Sequence, residues 1–210
     1  MHKKLFFSSY FKEVAALLPE CAGELSGKRV VFIPAASVVE KVAFFVKSGK
    51  KALEKLGMVV DELDLTQADA AEIQRKIADS DAIYICGGNT FFLLQEMKRT
   101  GADKLIAAAV HAGKLYIGES AGAMVAAHNI EYAALMDTPK KAPDLQSFDA
   151  LGLVDFYPVP HYTNPPFQKA AHKMAEQYGG QFEIKAISNH EAIWVDGDNI
   201  AVKSVARAEQ

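Results

Sequence analysis

The strongest constraint on how this chain folds is an alternation of two periodicities. Short β-rich runs at residues 3–9, 29–34, 58–65, 82–86 and 115–118 take turns with stretches of helical spacing. Between the second and third runs, Val42, Phe45, Val46, Leu53 and Leu56 recur at the three-and-four spacing of one helical face, which predicts a helix over 39–56 stopped by Gly57. A second helix is expected over 90–100, entered through Gly87–Gly88 and ended by Gly101. Regular strand–helix alternation predicts a three-layer α/β sandwich. Its central sheet is mostly parallel, helices cover both faces, and loops at the carboxyl ends of the strands hold the ligand. Residues 128–146 break the pattern: this polar stretch with Asp137, Pro139 and Pro143 reads as a long excursion over the ligand-bearing edge. Near the end, the β-prone runs 192–195 and 200–202 flank Asp196–Gly197–Asp198–Asn199, the signature of a hairpin. No repeat, low-complexity tract or linker interrupts the chain, so a single domain over 1–210 is expected.

Composition narrows the function. The formal net charge is −3, with acids and bases interspersed, so the basic stripe of a nucleic-acid binder is missing. The two cysteines, Cys21 and Cys86, have neither a disulfide framework nor a metal or redox spacing. Residues 1–7 begin like a secretory leader, but Ser8, Ser9, Lys12 and Glu13 interrupt the apolar run. Nor does any apolar run reach the roughly 18 residues of a membrane span. The expectation is a cytoplasmic protein, monomer or homodimer, without nucleic-acid or membrane partners.

The chemistry concentrates at Gly118–Glu119–Ser120–Ala121–Gly122, which follows the apolar strand Leu115–Tyr116–Ile117 and precedes the helix-prone Ala123–Met124–Val125–Ala126–Ala127. Strand, Gly-x-Ser-x-Gly, helix is the context of a nucleophile elbow, where a strained turn exposes a serine and small neighbours let strand and helix pass close by. The helix N-terminus beside Ser120 supplies N–H groups for a developing oxyanion, Ala121 N–H first among them. Gly87–Gly88–Asn89–Thr90 is a second strand end running into a helix, and its N–H groups are expected to face the same pocket. Gly88 and Ala121 would then form the oxyanion hole together.

A nucleophilic serine needs a base. Of six histidines, His161 lies in a proline-defined loop between Tyr157–Pro158–Val159–Pro160 and Tyr162–Thr163–Asn164–Pro165–Pro166. His111 and His172 fall in helical stretches, His190 near the hairpin, His2 at the terminus and His128 at a helix end. The orienting carboxylate is open among Glu131, Asp137, Asp144, Asp149 and Asp155; Asp137 is preferred, in the workable chain order serine, acid, histidine.

Four motifs carry a resemblance when taken together: Gly87–Gly88–Asn89–Thr90, the segment 117–123 around Ser120, Phe148–Asp149–Ala150–Leu151, and Pro160–His161–Tyr162–Thr163–Asn164. In order and spacing they resemble the dipeptidase E family of serine peptidases, peptidase family S51, to whose wider group cyanophycinase belongs. The resemblance runs from about Gly27 to Val202. It implies a flavodoxin-like fold similar to the class I glutamine amidotransferases, with serine where those enzymes place cysteine. It also implies a triad of Ser120, His161 and Asp137 with Gly88 and Ala121 at the oxyanion positions. Substrate contacts are expected from Asn89, Thr90, Glu119 and Asn164, and a triad mechanism needs no metal or cofactor.

Two positions depart from the family members that remove N-terminal aspartate from dipeptides. Those members carry tryptophan where this chain has Glu119, and an arginine in a longer loop after the position of Asn164, where 165–174 here holds only Lys169 and Lys173. A lysine is a poor substitute for bidentate carboxylate recognition. The expected activity is therefore serine-type exopeptidase cleavage of small peptides without strict aspartate preference, Glu119 anchoring the substrate's α-ammonium or a basic side chain. The rival readings are an esterase-type hydrolase, which would usually carry an HGGG-type loop, and a non-catalytic amidotransferase-like binding domain.

Overall fold

The computed structural model describes residues 2–205. In chain order the elements are β1 (Lys4–Ser8), α1 (Phe11–Val14), α2 (Leu17–Ala22), β2 (Arg29–Ile33), α3 (Phe44–Lys55), β3 (Val59–Glu62), α4 (Ala70–Asp79), β4 (Ala82–Ile85), α5 (Thr90–Thr100), α6 (Ala102–His111), β5 (Leu115–Glu119), α7 (Ala121–Met124), β6 (Tyr157–Val159), α8 (Gln168–Tyr178), β7 (Ile184–Ala186), β8 (Glu191–Asp196) and β9 (Asn199–Ser204). Seven strands form one sheet in the order β3-β2-β4-β5-β1-β8-β9. The first five are parallel to one another, and β8 and β9 complete the sheet antiparallel. A separate parallel pair joins β6 to β7.

The central strands are buried on both sides because successive side chains point to opposite faces and each face is covered by helices. Leu5, Phe7, Val31, Ile33, Ile83 and Ile85 face a core shared with α4, α5, α6 and α7. Phe6, Val30, Phe32, Tyr84 and Ile117 face a second core under α1, α2 and α3. In that second layer Phe32 stacks on Tyr84 across β2 and β4, ring centroids 4.9 Å apart. The expected mostly parallel sandwich and terminal hairpin are both present, Asp196 pairing with Asn199 at the tip.

One helix boundary differs from the sequence reading. The helix expected over 39–56 begins only at Phe44. Residues 38–43 instead cross the carboxyl edge of the sheet, where Glu40 pairs with Lys141 of the excursion at 2.7 Å. The excursion itself folds into 3₁₀ turns at Glu131–Leu135 and Pro139–Lys141 and is tied down by an isolated bridge between Asn129 and Asp149. Among the described residues no helix is long and apolar enough to cross a membrane.

Candidate active site

Parallel pairing gathers three strand ends at one edge. In register, Ser8 of β1 lies beside Glu119 of β5, and Ile85 of β4 beside Gly118. The residues that follow, Ser9, Ser120 and Gly87–Gly88, therefore leave the sheet together. Ser120 has φ 50° and ψ −104°, a conformation a non-glycine residue holds only when its surroundings impose it. Its N–H donates to Ser8 O at 2.8 Å, and the N–H groups of Ala123 and Met124 donate back to Ser120 O. A Cβ on Gly122 would lie 2.3 Å from Ile85 O, so the turn closes only with glycine there. This is the expected elbow: strand, strained serine, helix.

The small sheet delivers the expected base. Because β6 and β7 are parallel, with Val159 beside Ala186, the loops after them run side by side. One carries His161 and the other Asn189. Ser120 Oγ and His161 Nε2 are 3.0 Å apart, and on the far side of the ring His161 Nδ1 meets Asn189 Oδ1 at 2.8 Å. With Nδ1–H donating to the amide oxygen, Nε2 is left as an acceptor for the serine hydroxyl. His161 itself sits at φ 61° and is held from behind: its N–H donates to Ser9 Oγ at 2.9 Å, and the Ser9 hydroxyl is shared between the carbonyls of Ile187 and Ser188. Burial pushes the His161 pKa below its ordinary value of 6.5, an effect the Asn189 bond partly offsets.

The Gly87–Gly88 turn lies against the elbow; a Cβ on Gly87 would be 3.4 Å from Ser120 Cβ. Gly88 has φ 133°, and a Cβ there would lie 2.2 Å from Ala36 O. Among the described residues neither Gly88 N–H nor Ala121 N–H donates to another backbone group. Both expected oxyanion donors therefore flank Ser120 with unengaged N–H groups.

Four expected roles are corrected. Asp137 does not reach His161. One of its oxygens, Oδ2, accepts from Thr90 N–H at 2.9 Å and Thr90 Oγ1 at 2.6 Å, so the carboxylate is drawn to the open N–H groups at the start of α5. Burial outweighs those bonds and pushes its carboxyl up to about 6. The same pairing takes the Thr90 hydroxyl proton, and Thr90 is fully buried and does not line the cleft, which argues against a substrate contact. Nor do the other candidate acids approach the histidine: Asp149 bonds Ser147 and Asn129, Asp155 pairs with His128, and Glu131 and Asp144 are exposed. Asn164 is likewise structural, its Oδ1 accepting Asn189 N–H at 2.8 Å and so holding the residue that orients His161.

Glu119 is the fourth correction. Along β5 it follows Leu115 and Ile117 in the two-residue repeat, so its side chain enters the second core. There it accepts from Phe11 N–H at 3.0 Å, Tyr84 Oη at 2.6 Å and Cys86 Sγ at 3.7 Å. Burial raises its pKa against the opposing pull of those bonds, and raises those of Tyr84 and Cys86 too. It anchors no ammonium group. Asn89 lines the cleft, but its side chain is engaged at both ends: Oδ1 caps α5 at Phe92 N–H and Nδ2 donates to Thr138 O.

Ser9 and Asn189 were not among the expected residues. No local motif marks either; the neighbours that give them meaning are 152 and 28 residues away in sequence. The cleft over these groups has a volume of about 860 Å³ and is walled by residues 39–45, the 3₁₀ turns of the excursion and the 165–167 segment.

Comparison with known proteins agrees with this geometry. The sequence profile of peptidase family S51 matches residues 4–203. An uncharacterized peptidase of Listeria monocytogenes is 52% identical over 204 residues, covering 97% of this chain and all of that one. Peptidase E of Citrobacter koseri is 38% identical over 148 residues, which is 70% of this chain and 61% of its own length. A crystal structure from Listeria monocytogenes EGD-e, provisionally described as a peptidase E, superposes with a TM-score of 0.94 at 51% identity, over 98% of this chain and all of that one. The chain thus belongs to peptidase family S51 and is a serine peptidase.

Proposed function

We propose that this enzyme cleaves small peptides as an exopeptidase, with Ser120 as nucleophile, His161 as general base and acid, and Asn189 as the group that orients the histidine. The observation that carries the reading is the 3.0 Å approach of Ser120 Oγ to His161 Nε2 at a strained strand-to-helix turn. Ser120 Oγ attacks the scissile carbonyl carbon while Nε2 takes its proton. The carbonyl oxygen, now negative, is received by the N–H groups of Gly88 and Ala121, at the N-terminal end of α7. Collapse of this intermediate breaks the C–N bond, and the imidazolium returns the proton to the leaving amine. Water then attacks the acyl-Ser120 ester with Nε2 again as base, releasing the acid and restoring the serine.

Asn189 differs from a triad carboxylate in one physical respect. Its amide oxygen fixes the ring and its tautomer without adding a negative charge, so the imidazolium gains a dipole instead of an ion partner. A serine–histidine–amide arrangement parallels the cysteine–histidine–asparagine sites of papain-like enzymes. The small-peptide assignment is supported by cleft walls formed by residues 39–45 and the excursion and tied together by the Glu40–Lys141 pair, which would limit the length of chain that can lie across Ser120. Incubation of purified enzyme with dipeptides and with a long unstructured protein tests this. Release of free amino acids from the dipeptides alone, lost in Ser120→Ala and His161→Ala, is the expected result. Cleavage inside the long chain would refute the exopeptidase mode, and full activity of Ser120→Ala would refute the mechanism.

A further inference from the structure

Several aromatic and apolar side chains line the cleft near the reacting atoms. Phe44 and Phe45, at the start of α3, form an edge-to-face pair with centroids 5.9 Å apart, and Tyr10 extends the pair on the Phe44 side at 6.3 Å. Phe45 reaches the oxyanion turn, its ring 3.8 Å from where a Gly87 Cβ would lie, the same point that is 3.4 Å from Ser120 Cβ. Beside the histidine, the centroid of the Phe167 ring lies 5.0 Å from that of His161. Leu135 and Met136 of the excursion face the same space. Phe44 and Phe167 nevertheless remain 66% and 39% exposed among the described residues, which leaves aromatic surface at the cleft wall.

The charged groups of the cleft are arranged differently. Glu40 and Lys141 are paired with each other at 2.7 Å, Asp137 is bonded to Thr90, and the Glu119 carboxylate is buried and bonded to Phe11 N–H and the Tyr84 hydroxyl. Lys41 stands exposed at the rim. An acidic substrate side chain deep in the cleft would have to break the Glu40–Lys141 pair to find a cation, whereas an apolar one finds aromatic rings beside the oxyanion turn and beside His161. We propose that the cleft selects peptides carrying a large apolar or aromatic side chain beside the scissile bond, with Phe44, Phe45 and Phe167 as the specificity-determining residues. This rests on the small-peptide reading above.

The experiment compares kcat/KM for Phe-Leu, Leu-Leu, Ala-Leu, Lys-Leu and Asp-Leu dipeptides in the wild type, Phe44→Ala and Phe167→Ala. Val202→Ala, on the outer face of β9, serves as a control. The expected result is that Phe-Leu and Leu-Leu exceed Asp-Leu by about 10-fold or more. The Phe-Leu to Ala-Leu ratio should fall by about 10-fold in at least one of the two phenylalanine variants and stay put in Val202→Ala. Both phenylalanines are partly exposed, so their variants retain the fold, and thermal melts verify it. Equal or faster cleavage of Asp-Leu, or a ratio unmoved by both variants, overturns the specificity while leaving the peptidase reading intact. Cleavage of none of the five by wild-type enzyme, with Ser120 still reactive toward a fluorophosphonate, overturns the small-peptide reading and the inference with it.

Discussion

Replacing Asn189 separates orientation of the base from its charge. In Asn189→Ala the backbone around His161 stays anchored, because Ser9 Oγ still accepts its N–H and Tyr162 N–H still donates to Ile187 O. Only the 2.8 Å bond at Nδ1 is lost. That frees the ring to rotate and removes the acceptor that keeps Nε2 unprotonated. A hydrogen bond to a partly buried group that becomes charged during the reaction is worth about 1.5–3 kcal/mol. At about 1.4 kcal/mol per tenfold, kcat should fall about 10- to 150-fold, with KM nearly unchanged. Asn189→Asp keeps the acceptor and adds a charge. The base is active when neutral, so kcat/KM rises with pH through the His161 pKa. Burial holds that pKa below 6.5 in the wild type, and the acid limb should lie correspondingly low. A carboxylate at 189 favours the imidazolium, raises the pKa and moves the limb to higher pH by about one unit or more. Full pH–rate profiles of the three proteins with one dipeptide make the comparison. An alanine variant within twofold of wild type, or an aspartate variant whose acid limb does not move, refutes the assignment of Asn189.

Two further predictions follow from the corrected residues. Glu119→Ala leaves Phe11 N–H and the Tyr84 hydroxyl buried without their acceptor and should cost about 3 kcal/mol of stability in urea unfolding, with Glu119→Gln costing less. A loss under about 0.5 kcal/mol in the alanine variant would contradict the buried network. Asp137→Ala removes the acceptor of Thr90 N–H and its hydroxyl at the start of α5 and should lower stability by about 1 kcal/mol while leaving the acid limb of the pH–rate profile where it is; a displaced limb would return Asp137 to the histidine.

The fold was legible because its periodicities are local. Apolar runs and glycine stops mark β2, β4, β5 and α5 without reference to anything distant. The helix start at Phe44 was not, because Val42 fits the helical face by spacing, yet residues 38–43 are committed to the cleft by the ion pair between Glu40 and Lys141, residues far apart in sequence. At the site, Ser120 and the two glycine turns are read from strand-to-helix context, and His161 from its proline-bounded loop. Glu119 was readable in principle: Leu115, Ile117 and Glu119 share one face of β5 by a two-residue repeat, which places the carboxylate in the second core. Asn189 was not readable, since its role exists only because β6 and β7 pair in parallel and bring two distant loops together. An acid was sought where a neutral amide stands.

The most direct test of the account is covalent labelling of the nucleophile. Wild-type enzyme treated with a fluorophosphonate should gain one phosphonyl adduct, mapped by peptide mass spectrometry to Ser120, and the reaction should be about 10-fold or more slower in His161→Ala and absent in Ser120→Ala. An adduct on another residue, or labelling of Ser120 at an unchanged rate without His161, would contradict the pairing of Ser120 with His161 on which the mechanism depends.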